Sequence, residues 1–104
     1  MNEYISFFKR WEKRARNRNK DEFEKYFGWA NYEFINGNLD KSKEYLEKAA
    51  KIRKDADVWY ALYFVNSQSI EILREGLKNY PKSTLLKTEF KYKLKMSHVG
   101  EKVE

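Results

Sequence analysis

Few residues in this chain have the types and spacing that chemistry requires. Asp55 with Asp57, and Glu44 with Glu47, are the paired carboxylates, the arrangement that can share acid and base roles or hold a cation. His98 is the only histidine and there is no cysteine, so a zinc site or a thiolate–imidazole pair has too few ligands to draw on. Both carboxylate pairs have plainer readings, Asp55 and Asp57 as caps of a helix that starts there and Glu44 and Glu47 as a solvated face alternating with lysine. No nucleophile stands beside a base, and no glycine-rich loop opens a helix to hold phosphate. The expectation is no catalysis, no cofactor and no metal.

Charge is the stronger signal. From Lys9 to Lys20 there are seven basic residues against Glu12 alone, a local net charge of +6, which equals that of the whole chain; the remainder carries fifteen basic and fifteen acidic residues. A patch this local suggests a located contact. Lys9, Arg10, Lys13, Arg16 and Lys20 are therefore the candidate basic surface, for nucleic-acid phosphates or for an acidic partner helix. An anionic membrane surface is the third and weakest reading. A solvated helix face is the plain alternative. Arg14 and Arg18 lie at the margin of the apolar stripe, where their stems can cover a hydrophobic groove. Lys82, Lys87, Lys91, Lys93 and Lys95 form a second strip with Glu89 against it.

The elements that must position these residues follow from periodicity. The chain has 104 residues, 41% of them hydrophobic, 37% charged and 17% aromatic, the balance of one folded domain. Four glycines and one proline leave few breaks, and no strand-type alternation recurs, so an all-α fold is expected. The N-terminus lacks the basic-then-apolar pattern of a secretory signal, and no apolar run approaches the ~20 residues of a membrane span. This reads as a soluble chain of the cytoplasm, or of the nucleus in a eukaryote.

The first helix, within a basic amphipathic segment 1–20, carries Tyr4, Phe7, Phe8, Trp11 and Ala15 on one stripe. Asp21, with Glu24 three residues on, caps a second helix over 22–35. Asn36, Gly37 and Asn38 make its turn. A third helix is expected at 39–53, a fourth at 58–65, a fifth at 70–79 and a sixth at 82–96 after Pro81. Residues 97–104 are expected as a flexible tail.

Trp29 and Trp59 sit in segments that align without a gap, FGWANYEFINGN from Phe27 and DVWYALYFVNSQ from Asp57. Phe34 pairs with Phe64 and Asn36 with Asn66; further on, Leu46 pairs with Leu73 and Ala49 with Gly76. Two units, 22–53 and 57–80, each of two helices, are thus followed by a half unit at 82–96, in one domain of 1–96. Trp29, Phe34, Ala49, Trp59, Phe64 and Gly76 are the expected repeat core. The sixth helix has no partner after it, and Leu86, Phe90 and Leu94 on one of its apolar sides are a candidate surface for a partner or for a second copy.

Trp29, Gly37, Asn38, Ala49 and Ala50 in the first unit, with Trp59, Gly76, Tyr80 and Pro81 in the second, resemble the tetratricopeptide repeat over Phe23 to Met96. The paired tryptophans and Glu33 also resemble its half-a-tetratricopeptide variant, found in RNA-processing assemblies. The second unit departs from the usual 34-residue period by a turn three residues shorter than that of the first. The resemblance implies a right-handed solenoid of about six helices acting as a scaffold. It would hold a peptide or partner subunit in its concave groove, or bind one at its uncapped end helix. The rival reading is an RNA-binding accessory protein working through the basic first helix.

Overall fold

Six helices follow one another, with no strand among the described residues: α1 (Glu3–Arg16), α2 (Glu22–Ile35), α3 (Leu39–Ile52), α4 (Ala56–Val65), α5 (Ile70–Asn79) and α6 (Thr84–Lys102). The computed structural model describes the backbone of residues 3–17 and 21–102 and the side chains of 5–17 and 21–96. Local chemistry explains most of the boundaries. Asp21 Oδ1 accepts the Glu24 amide at 2.9 Å, and Asp55 Oδ1 accepts that of Asp57 at 2.9 Å, so each carboxylate satisfies an amide that the first helical turn leaves open. Because Asp55 is the cap, α4 begins at Ala56, two residues earlier than expected. Helix α6 begins later than Pro81 suggests, since Ser83 Oγ takes the Leu86 amide at 3.2 Å. The expected tail is helical as far as Lys102, because nothing between Met96 and that residue except Gly100 opposes helix.

The two hairpin turns repeat at the same thirty-residue interval as the sequence. Asn38 N donates to Glu33 O and Gln68 N to Tyr63 O, both at 2.8 Å. The side chains of Asn36 and Asn66 donate to the carbonyls of Tyr32 and Leu62 at 2.8 and 2.7 Å. The left-handed residue is Gly37 in the first turn (φ 82°) and Ser67 with Gln68 in the second (φ 59° and 58°). Only the first turn therefore places glycine where a side chain is strained.

Consecutive helices pack on one another, and α4 also meets α6. Helix α1 lies over both α2 and α4. Phe7 meets Tyr60 edge-on at 4.8 Å, Phe8 stacks on Phe34 at 5.6 Å, and Trp11 stacks on Phe27 at 5.6 Å. The fully buried Trp11 donates its indole N–H to Phe27 O at 2.9 Å, so burial leaves this donor satisfied. The core continues through Leu46, Ala49, Val58, Tyr60, Tyr63, Leu73 and Leu86. Gly76 permits the closest approach: a Cβ there would lie 3.1 Å from both Leu86 Cδ1 and Trp59 Cβ.

That core corrects two expectations. Trp29 is not part of it, being 39% exposed. Helix α1 covers the Phe23–Phe27–Phe34 side of α2, while Trp29 stands on another side, its ring 5.6 Å from that of Tyr45 on α3 and partly open to solvent. Trp59, its repeat equivalent, is half-buried, lying beside Gly76 of α5 and lining a cleft with Ala50 of α3. Leu86 is fully buried, so the side of α6 expected to meet a partner is the side that packs inward. Phe90 and Leu94 are half-buried, with the Arg74 guanidinium 5.8 Å from the Phe90 ring. Ala49 and Gly76 are buried as expected, while Phe34 and Phe64 are half-buried at the edge of the core.

Candidate functional site

Arg10, Arg14, Asp55 and Asp57 come together where α1 crosses the starts of α2 and α4. Arg10 grips Asp57 with two bonds, Nε to Oδ2 and an Nη to Oδ1, each 2.8 Å. Arg14 donates to Glu24 at 2.8 Å, to Asp55 at 3.0 Å and to Asp57 at 3.3 Å. Its guanidinium also lies 4.6 Å from the Phe27 ring centre and 5.5 Å from that of Phe23. Arg53, just past α3, reaches Asp21 at 2.6 Å and Glu24 at 3.3 Å. Planar guanidinium forks suit this bidentate, ring-stacked role better than lysine would.

The network gives these charged groups partners within the fold. Asp57 engages one edge of the Arg10 guanidinium, through Nε and one Nη, while the side chain keeps 43% exposure. Asp55 caps α4, and Asp55 and Asp57 both also accept hydrogen bonds from the arginines of α1. Burial works against the charge on Arg14, yet hydrogen bonds to Glu24 and Asp55 outweigh it and raise its pKa above the ordinary arginine value. Arg10 is raised likewise, chiefly by its hydrogen bond to Asp57. Asp21 is lowered, first by the Glu24 amide it caps and then by Arg53.

Of the remaining basic candidates in this segment, Lys9 and Lys13 are exposed, and Arg16 faces Glu12 at 3.8 Å across one helical turn. Lys20, like Arg18, lies outside the described residues. Arg14 behaves as its position on the stripe suggests, covering aromatic surface. His98 lies in α6 beyond the last described side chain.

Among the described residues, two stretches of surface join exposed aromatic side chains to charge. On the outside of the α2–α3 hairpin, Tyr26, Trp29 and Tyr45 pack against one another with centroids 5.6–6.0 Å apart. The Lys48 ammonium stands 5.6 Å from the Tyr26 ring, and Tyr32 beyond is 65% exposed. The sequence held a signal for this: α2 carries phenylalanines at 23, 27 and 34 on one side and Tyr26, Trp29 and Tyr32 on the other. The charges around the trio alternate, with Glu22, Lys25, Glu44 and Lys48 all exposed.

The second surface is the outer face of α6, where Lys87, Lys91 and Lys95 recur every four residues and are exposed. Tyr92 and Met96 flank them at 51% and 54% exposure. Glu89 does not offset this charge at the surface, because it is turned inward and accepts a 2.5 Å hydrogen bond from the buried Tyr63 hydroxyl. Lys93 approaches Gln68 at 3.5 Å.

A cleft of about 450 Å³ between α3 and α5 is lined by Trp59, Leu62 and Ile72 together with Lys43, Glu47 and Lys51. Its lining brings no nucleophile beside a base. Among the described residues no group of three His, Cys, Asp or Glu could hold a metal ion, and no helix is long and apolar enough to cross a membrane. No family model, curated protein or solved structure matches this chain.

Proposed function

We propose that the protein is a non-catalytic protein-interaction module, a right-handed tetratricopeptide-like solenoid of two hairpins and a half unit, which docks a partner protein on the outside of α2 and α3. The observation that carries the reading is the Tyr26–Trp29–Tyr45 group, two half-buried tyrosines beneath an exposed Trp29, with the exposed Tyr32 beyond it. Trp and Tyr are the residues most enriched at the centres of protein interfaces, and a contiguous apolar patch rimmed by charges of both signs is their usual setting. The mixed rim favours protein over nucleic acid here, since a phosphate backbone selects one sign of charge. Binding in the concave groove has less support, because the aromatic residues of α1 already lie against α2 and α4.

Affinity capture with the wild-type chain and with Trp29→Glu, followed by titration of each retained protein in purified form, tests this. A partner that binds the wild type and loses at least about tenfold in affinity to the variant, equivalent to about 1.4 kcal/mol, supports the docking face. A retained set identical for both chains, or no retained protein at all, removes it.

A further inference from the structure

We infer that the outer face of α6 is a second, separate binding surface, for the phosphate backbone of single-stranded nucleic acid. Lys87, Lys91 and Lys95 form one exposed ridge, spanning about 12 Å at 1.5 Å per residue. Three ammonium groups along that length can each meet one phosphate of a flexible strand. The described acid of this helix, Glu89, is held in the core by Tyr63, so the fold itself clears the ridge of negative charge. Tyr92, next in sequence to Lys91 and half exposed, sets a ring beside the ammonium row, where an unpaired base can stack.

The occupant follows from composition. Lysine is depleted in protein–protein interfaces, and Tyr92 with Met96 is too small an apolar centre for the ~800 Å² per partner that a stable protein complex buries. Pairing α6 with α6 of a second copy would set lysine ridge against lysine ridge. A lipid surface would require an apolar face free to insert, whereas Leu86 is buried and Phe90 half-buried on the packed side. A polyanion of regular charge spacing meets none of these objections.

Fluorescence anisotropy with a labelled single-stranded RNA of mixed sequence tests the assignment, with poly-L-glutamate as competitor. The expected result is binding that weakens between about 50 and 200 mM salt with a log–log slope near −2, the value for about three neutralised phosphates on a single strand. It is abolished in the triple variant K87E/K91E/K95E, with a slope near zero in the milder K87A/K91A/K95A. It survives in K9E/K13E and resists poly-L-glutamate. Circular dichroism of each variant confirms that the helices persist. No binding at the lower salt, loss of binding in K9E/K13E with retention in the α6 triples, or equal displacement by poly-L-glutamate would each overturn it. The Trp29→Glu chain should bind RNA as the wild type does, so failure here is distinct from failure of the protein-docking reading.

Discussion

Helices α1 and α6 are both lysine- and arginine-rich, yet the fold uses them in opposite ways. On α1 the arginines are structural: Arg10 and Arg14 are tied to Asp55, Asp57 and Glu24, and Phe7 and Trp11 beneath them are fully buried. On α6 the lysines are peripheral, and the acid that could have neutralised them is consumed in the core. Counting charges along a sequence finds both strips and ranks α1 first. What decides availability is whether carboxylates from outside the strip converge on it, as Glu24, Asp55 and Asp57 do on Arg10 and Arg14 of α1.

Paired substitutions test that contrast, from large effects to small. Trp11→Ala should cost about 3–5 kcal/mol, the usual range for emptying a fully buried aromatic site, whereas Tyr92→Ala on α6 should change stability by no more than roughly 0.5 kcal/mol. Urea denaturation of both variants measures the difference; similar midpoints would mean that α1 is not part of the core. Arg14→Ala leaves Glu24 and Asp55 short of a partner and should cost about 1–3 kcal/mol, reduced from the fully buried case because the side chain keeps some solvent contact. Lys91→Ala should again be nearly neutral. Equal thermal shifts for these two would erase the distinction between structural and peripheral charge.

Tyr63→Phe removes the bond that draws Glu89 inward and should cost about 1–2 kcal/mol. If Glu89 then turns outward, RNA affinity of the α6 ridge should fall as well, a joint outcome that chemical denaturation and anisotropy on one sample can read. The smallest expected effect is in acid. Asp21 has a folded-state pKa below the ordinary value of about 3.9, so its stabilisation is present above that value and is lost as the pH falls through the lowered one. Thermal melts between about pH 5 and 2 should therefore decline less steeply in Asp21→Asn than in the wild type, while Lys91→Ala should follow the wild-type curve.

Much of the fold was legible because it depends on neighbours a few residues apart. Caps at Asp21 and Asp55, the Gly37 turn and the apolar stripe of α1 are local patterns, and the helices lie within two residues of their expected ends except where α6 continues to Lys102. The thirty-residue interval recurs in the turn hydrogen bonds, since equivalent backbone donors and acceptors fall at equivalent positions. The candidate surfaces were less legible. Trp29 and Trp59 are equivalent in sequence but not in surroundings: Trp59 lies between Ala50 of α3 and Gly76 of α5, while Trp29 packs on Tyr26 and Tyr45 and stays 39% exposed. Leu86 and Tyr92 both lie on apolar sides of α6, and the wheel alone does not say which side α5 will take.

The sequence by itself determined the helices, their order, the two turns and the uneven distribution of charge, because each of these is fixed by short-range periodicity and capping. Tertiary structure alone decided that Arg10 and Arg14 are ion-paired, that Trp29 is at the surface, and that Glu89 of α6 is turned into the core. Those outcomes depend on contacts such as Arg10 with Asp57 and Tyr63 with Glu89, 47 and 26 residues apart in the chain, and burial and ion pairing are set by which helices meet, not by which residues are adjacent.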